Sequence, residues 1–189
     1  MSHDGDDSRA PGSNKPEPPP AAVTSFSGRA GEESDGPCRL QRALADEADT
    51  RALGAGLAAA LRPGMSVWLS GDLGAGKTTL VRGLLRALHF TGRVKSPTFS
   101  LVEFYSFSSF NLYHFDLYRF ADPIEWEEAG FRECFNDRSI CLVEWPEKAA
   151  GCLPEPDLLI RLEFAGDGRM ATLTGTTEAG RRCLERLAG

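Results

Sequence analysis

The chain has 189 residues and a formal net charge of −6, enough for one domain with a real core and too acidic for a broad basic nucleic-acid face. Its five cysteines (Cys38, Cys134, Cys141, Cys152 and Cys183) form no C-x-x-C pair, which argues against a zinc site or a disulfide framework and for the reduced thiols of a cytoplasmic protein. No run of 18 apolar residues occurs and Met1-Ser2-His3-Asp4 opens no secretory signal, so no membrane association is expected.

Residues 1–38 differ in composition from the rest. Gly, Pro and Ser fill 17 of the 38 positions, with seven acids against three bases. Such a segment buries too little apolar surface to offset its ordering entropy. It reads as a disordered tail, and its Pro18-Pro19-Pro20 stretch suits a docking element. Residues 39–189 then form the folded domain. Acidic and threonine residues in 44–50 supply helix caps, and 50–61 reads as a helix with Leu53, Leu57, Ala60 and Leu61 on one face. Pro63-Gly64 ends it.

Met65 to Ser70 is a short apolar strand. Gly71-Asp72-Leu73-Gly74-Ala75-Gly76-Lys77-Thr78 follows and fits the phosphate-loop pattern G-x-x-x-x-G-K-[ST] at every fixed position. From Thr79 onward, apolar residues at 80, 81, 84, 85 and 88 mark a helix face. Physically, the glycines let backbone N–H groups converge on phosphate oxygens, and the helix N-terminus favours the anion. Lys77 is expected to reach the β- and γ-phosphates and the Thr78 hydroxyl to bind Mg²⁺. A mere glycine-rich turn is the bland alternative; agreement of strand, loop and helix speaks against it.

Ser96-Pro97 reads as a loop. Residues 99–105 and 111–118 read as the arms of a hairpin, the second ending on Asp116. Asp122-Pro123 signals a short helix over 123–129, broken near Gly130. Ser139 to Trp145 holds four consecutive apolar residues, Ile140 to Val143, ending on the carboxylate of Glu144, the pattern of a buried parallel strand. Residues 146–156 read as irregular. Residues 157–164 and 169–175 bracket a hairpin turn, and Thr177 caps a last helix through Leu187.

A phosphate loop needs acids for its metal and its water. Glu144 is the stronger metal-side candidate. Asp116 either supports the metal or orients the attacking water, and Thr98, in a loop-to-strand transition, is a candidate sensor of the γ-phosphate. His114 is expected to pack or hydrogen-bond rather than act as a base. Trp145 is read as a core or stacking residue next to the nucleotide.

The segments Gly71 to Thr79, Val94-Lys-Ser-Pro-Thr98, Tyr113-His-Phe-Asp-Leu-Tyr-Arg119, Ala121-Asp-Pro123 and Leu142-Val-Glu-Trp-Pro146 together resemble the TsaE (YjeE) family of bacterial ATPases, the tRNA threonylcarbamoyladenosine biosynthesis proteins. The likeness covers about residues 44–189. It implies an α/β P-loop NTPase fold, a single domain with a mixed sheet flanked by helices. It implies ATP hydrolysis with Mg²⁺ held by Thr78 and Glu144. It also implies work in a complex with the TsaB and TsaD proteins, which modifies tRNAs reading codons that begin with A and which the ATPase cycle resets between turnovers; tRNA is met through that complex. Asp46-Glu47…Thr50 resembles a family segment near the nucleotide, making Glu47 and Thr50 adenine- or ribose-side candidates, and Glu147 lies where the family also approaches nucleotide. With the loop residues Asp72, Leu73, Gly74, Ala75, Gly76, Lys77, Thr78 and Thr79, these complete the expected nucleotide site.

Three other classes share the loop. A small-molecule kinase needs an acceptor pocket and usually an Arg-rich lid, but residues 145–156 hold one Lys and no Arg. A GTP switch needs an N-K-x-D segment, which is absent. A vestigial loop in an interaction protein is opposed by intact Lys77, Thr78 and Glu144. The loop regions offer no obvious arginine finger, so hydrolysis is expected to be slow without partners.

Overall fold

The computed structural model describes residues 38–97, 100–120 and 124–189. The acidic tail before Cys38, Thr98 and the Asp122-Pro123 helix start lie outside these residues. In chain order the elements are β1 (Cys38–Leu44), α1 (Glu47–Ala60), β2 (Ser66–Ser70), α2 (Lys77–Ala87), β3 (Val102–Ser106), β4 (Asn111–Asp116), α3 (Ile124–Glu128), β5 (Ser139–Glu144), β6 (Leu158–Ala165), β7 (Gly168–Gly175) and α4 (Glu178–Ala188).

The strands form one sheet in the order β1-β7-β6-β2-β5-β4-β3. The central strands β6, β2, β5 and β4 run parallel, and the pairs β3–β4, β6–β7 and β1–β7 are antiparallel. Alternation along each strand divides the sheet's two faces. Val67, Leu69, Leu112, Ile140 and Leu142 pack with α1, α2 and α4, whereas Phe115, Cys141 and Val143 pack with Trp126, Phe120 and Ala149 on the other side. This period of two puts His114 and Asp116 on the α2 face with Leu112. It puts Glu144 there too, with Ile140 and Leu142.

The helices form where the sequence places them, with shifted ends. α1 begins at Glu47, before the expected Thr50, because Asp46 is its N-cap: the Asp46 carboxylate accepts the Asp49 N–H at 2.9 Å, and the Asp49 carboxylate accepts the Ala45 N–H at 2.8 Å. α1 and α2 cross very closely. A Cβ on Gly54 would lie 2.1 Å from the Leu80 carbonyl oxygen, and one on Gly83 would lie 2.2 Å from that of Arg51. Only glycine permits this approach, which brings the start of α1 beside the start of α2. Thr177 caps α4 as expected, accepting the Gly180 N–H at 3.2 Å.

Two expectations need correction. Residues 38–44 are a strand, β1, and not merely the start of the folded part. Residues 146–149, read as irregular, form a 3-10 turn. All five cysteines are free thiols. Burial pushes the Cys183 thiol up to about 11 and raises that of Cys141 too, so both act as packing residues. Among the described residues no helix is long and apolar enough to cross a membrane.

Candidate functional site

β2 ends at Ser70, and the chain turns through the phosphate loop into α2. Gly76, the residue before α2, has φ +110°, a left-handed conformation that suits glycine. A Cβ there would also press within 3.3 Å of Thr50 Cγ2. The turn aims the first residues of α2 at the C-terminal ends of β5 and β4. Register completes the arrangement: Glu144 lies opposite Leu69 on one side and Asp116 on the other.

Glu144 is the hub of the buried polar cluster. Its Oε1 accepts the Thr78 hydroxyl at 2.9 Å and lies 2.8 Å from His114 Nε2. His114 is fully buried, Glu144 is 3% exposed, and His114 Nδ1 has no hydrogen-bond partner. These facts select the tautomer. A proton on Nε2 gives the carboxylate a donor and leaves Nδ1 a bare lone pair. The opposite tautomer would face a lone pair to the carboxylate and bury an orphan N–H. His114 therefore hydrogen-bonds, as its sequence context suggests.

Asp116 is 5% exposed. Its Oδ1 accepts the Tyr118 N–H at 3.1 Å, and its Oδ2 accepts the Ser96 hydroxyl. Lys77 is 4% exposed. Its ammonium donates to the carbonyls of Gly71 at 2.5 Å and Asp72 at 2.9 Å, and it lies 3.9 Å from the centre of the Trp145 ring. Burial holds the Lys77 ammonium below its ordinary value, against the opposing pull of Glu144, Asp116, Glu147 and Asp72. Trp145 sits at φ +59°, a left-handed conformation uncommon for a bulky residue. That turn ends β5 directly after Glu144 and lays the indole over Lys77 and against Tyr118, whose ring is 5.0 Å away.

Three hollows surround the loop. A cleft of about 450 Å³ brings together Lys77, Thr78, Asp116, Glu144 and Trp145, with Leu73 and Thr79 at its wall. Leu73 is 69% exposed at the loop's apex, while Ala75 is buried beneath it. A second cleft, of about 430 Å³, holds Glu47, Thr50, Gly74, Gly76 and Thr79. Glu147 joins neither; it lies in a third hollow with Asp72 and Trp145. Glu47 is engaged by Arg51 at 2.6 Å, and the buried Thr50 hydroxyl donates to the Asp46 carbonyl at 3.1 Å.

Sequence reasoning missed Ser96, Tyr118 and Arg169. Ser96 stands within a quoted motif, but its role depends on Asp116 needing a donor, which appears only when β4 ends beside the loop. Arg169 follows the β6–β7 turn, and strand pairing with β1 carries it to the second cleft.

Residues 44–173 match the family model described as threonylcarbamoyl adenosine biosynthesis protein TsaE. The chain belongs to the TsaE family. It is 51% identical to the TsaE protein of Haemophilus influenzae over 62% of this chain and 75% of that one. It is 41% identical to the TsaE protein of Bacillus subtilis over 63% of this chain and 74% of that one. The crystal structure of Bacillus subtilis YdiB superposes with a TM-score of 0.71 at 32% identity, covering 82% of this chain and 97% of the other. The TsaE resemblance read from the sequence thus holds, and so does the P-loop NTPase fold with its mixed sheet flanked by helices.

Proposed function

We propose that this chain is a Mg²⁺-dependent ATPase of tRNA threonylcarbamoyladenosine biosynthesis. It acts with the TsaB and TsaD proteins and resets their transferase between turnovers. The observation that carries this reading is the meeting of Lys77, Thr78 and Glu144 at the ends of β2 and β5, with Thr78 Oγ1 2.9 Å from Glu144 Oε1. The names of the relatives, tRNA threonylcarbamoyladenosine biosynthesis proteins, supply the pathway.

The donor set suits the metal. A hydroxyl and a carboxylate are hard oxygen ligands, and Mg²⁺ in nucleotide sites takes one or two of these from the protein and the rest from phosphate and water. Among the described residues no group of three or more His, Cys, Asp or Glu could hold a metal by itself. Thr78 and Glu144 would hold the ion, which when bound neutralises charge developing on the phosphoryl group.

The chain's own residues do the remaining work. Lys77 exchanges its two carbonyl partners for phosphate oxygens, which pair the buried ammonium with a full opposite charge and so hold it more strongly. The backbone N–H groups of Asp72 to Thr79 cradle the phosphates. His114 fixes the Glu144 carboxylate, and Ser96 with the Tyr118 N–H fixes Asp116, which orients the attacking water. Thr98 serves as the γ-phosphate sensor. Trp145 covers Lys77 and excludes solvent; Glu47 and Thr50 flank the ribose or adenine, and Glu147 approaches from the Asp72 side.

Phosphate release from ATP by the wild type, Lys77→Ala and Glu144→Ala tests this. Both variants should lose hydrolysis, with Lys77→Ala weakening ATP binding more. Intact turnover in Glu144→Ala would move the metal role to Asp116.

A further inference from the structure

The paired helices α1 and α2 carry acids at one end only. Glu47 and Asp49 lie in the first turn of α1. From Thr50 to Val102 the sequence then holds one acid, Asp72 in the phosphate loop, against seven Lys and Arg residues and His89. At the far end Arg62 follows α1, Arg86 lies in the last turn of α2, and Arg93 and Lys95 stand in the loop leaving α2; all four residues are exposed. Among the described residues none of the four forms an ion pair. Arg62 donates to the carbonyls of Ala59 and Leu61 at 2.7 Å, and Arg86 to that of Phe90 at 2.5 Å, which suits cations at helix C-termini. Beside Gly64 the exposed Asp137 and Arg138 offset each other. Between the two helix ends lies a groove of about 190 Å³, lined by Ala58, Leu61, Leu84, Leu88, Phe110 and Ile140, with Arg62 as its one charged residue.

The acidic N-terminal segment joins the fold at this same edge of the sheet. Cys38 pairs with Gly175, Gly175 with Leu158, and Leu158 with Val67, which follows Pro63 at the groove by four residues. Three strand spacings, about 14 Å, therefore separate Cys38 from Val67. The segment before Cys38 carries seven acids against three bases, and Phe26 is its one Phe, Tyr or Trp. Glu32, Glu33 and Asp35 stand between Phe26 and Cys38, with Arg29 the only base there. An extended residue spans roughly 3.3 Å, so the twelve residues from Phe26 to Cys38 reach about 40 Å, enough to bring Phe26 to the groove with slack.

We propose that residues 23–35 dock across the ends of α1 and α2 of their own chain, with Phe26 in the groove and Glu32, Glu33 and Asp35 facing Arg62 and Arg86. The segment supplies both things the face lacks, an apolar side chain and negative charge. A nucleic-acid backbone supplies the charge and leaves the groove unfilled. Tethering makes the contact intramolecular, so weak pairings at exposed side chains suffice to populate it. The face lies at the opposite ends of α1 and α2 from the phosphate loop, and the proposal stands independently of the nucleotide reading.

The test is backbone-amide NMR of the full chain, with substitutions made only in the segment, outside the folded domain. Phe26→Ser should shift the signals of Leu61, Arg62, Leu88 and Phe110 and leave those of Lys77 and Glu144 in place. The double variant Glu32→Lys, Glu33→Lys should shift Arg62 and Arg86, and so should ~1 M salt, where the screening length falls to about 3 Å. Domain signals that do not respond to Phe26→Ser, or that respond only on another face, would overturn the proposal. Shifts that disappear on dilution would give the groove to the segment of a second copy and overturn docking within one chain. A single-stranded RNA oligonucleotide that moves the Arg62 and Arg86 signals, where Phe26→Ser and the double variant do not, would make the face a nucleic-acid site and overturn it as well.

Discussion

His114 provides the sharpest check on the Glu144 assignment. Glu144 Oε1 has two neighbours at hydrogen-bond distance, Thr78 Oγ1 at 2.9 Å and His114 Nε2 at 2.8 Å. Hydrogen bonds to charged groups contribute about 1.5–3 kcal/mol each, so removing the imidazole takes away about that much from a carboxylate that is 3% exposed. His114→Ala also leaves a hole in the core, adding about 2–5 kcal/mol by analogy with other buried truncations. Stability loss alone therefore does not separate the two roles. His114→Phe fills the space without a donor, and His114→Gln offers an amide N–H near the position of Nε2. Partners that orient a metal ligand are worth about 10–100-fold in metal affinity or activity. ATP hydrolysis titrated with Mg²⁺ should need about 10–100-fold more metal in His114→Phe and near-normal levels in His114→Gln. A wild-type Mg²⁺ dependence in a folded His114→Phe would refute the reasoning and reduce His114 to packing.

Two further outcomes concern stability. Burial disfavours the Lys77 ammonium, so below its lowered value the folded state carries a desolvation cost. The unfolded state binds the proton more tightly, and stability therefore rises with pH between that lowered value and 10.5. Lys77→Met, which keeps the stem and drops the charge, should raise the unfolding midpoint of the nucleotide-free protein at neutral pH, flatten that rise and abolish hydrolysis; a lower midpoint contradicts the desolvation argument. Gly83→Ala should cost about 1–3 kcal/mol in denaturant unfolding, since its Cβ would lie 2.2 Å from the Arg51 carbonyl oxygen; an unchanged midpoint would mean that α1 and α2 separate freely.

What was legible in the sequence follows from how local each signal is. The phosphate loop, the Glu144 strand and the β6–β7 hairpin carry their patterns within short contiguous stretches, the longest being the hairpin from Leu158 to Gly175, so composition and period reveal them. β1 does not. Its apolar content is thin, with Leu40 and Leu44 facing the core, Gln41 and Arg42 between them and Arg39 before them, and its pairing with β7 bridges Gln41 to Thr172 across most of the chain. The same distance hides Arg169, whose place is set by that pairing. The Glu144 carboxylate was legible because the four residues before it, Ile140 to Val143, are apolar. Its second donor was not, because His114 reaches it only through the parallel register of β4 with β5. Glu147 shows the limit of proximity in sequence: three residues after Glu144, the 3-10 turn carries it to a different hollow.

The central claim is that ATP turnover at Lys77 and Glu144 serves tRNA modification. It is tested most directly by threonylcarbamoyl transfer to tRNA with purified TsaB and TsaD proteins under multiple-turnover conditions. Wild-type chain with ATP should raise the number of turnovers, and Lys77→Ala should not. Equal turnover with wild type, with Lys77→Ala and with neither, while the wild type still binds ATP, would contradict the account.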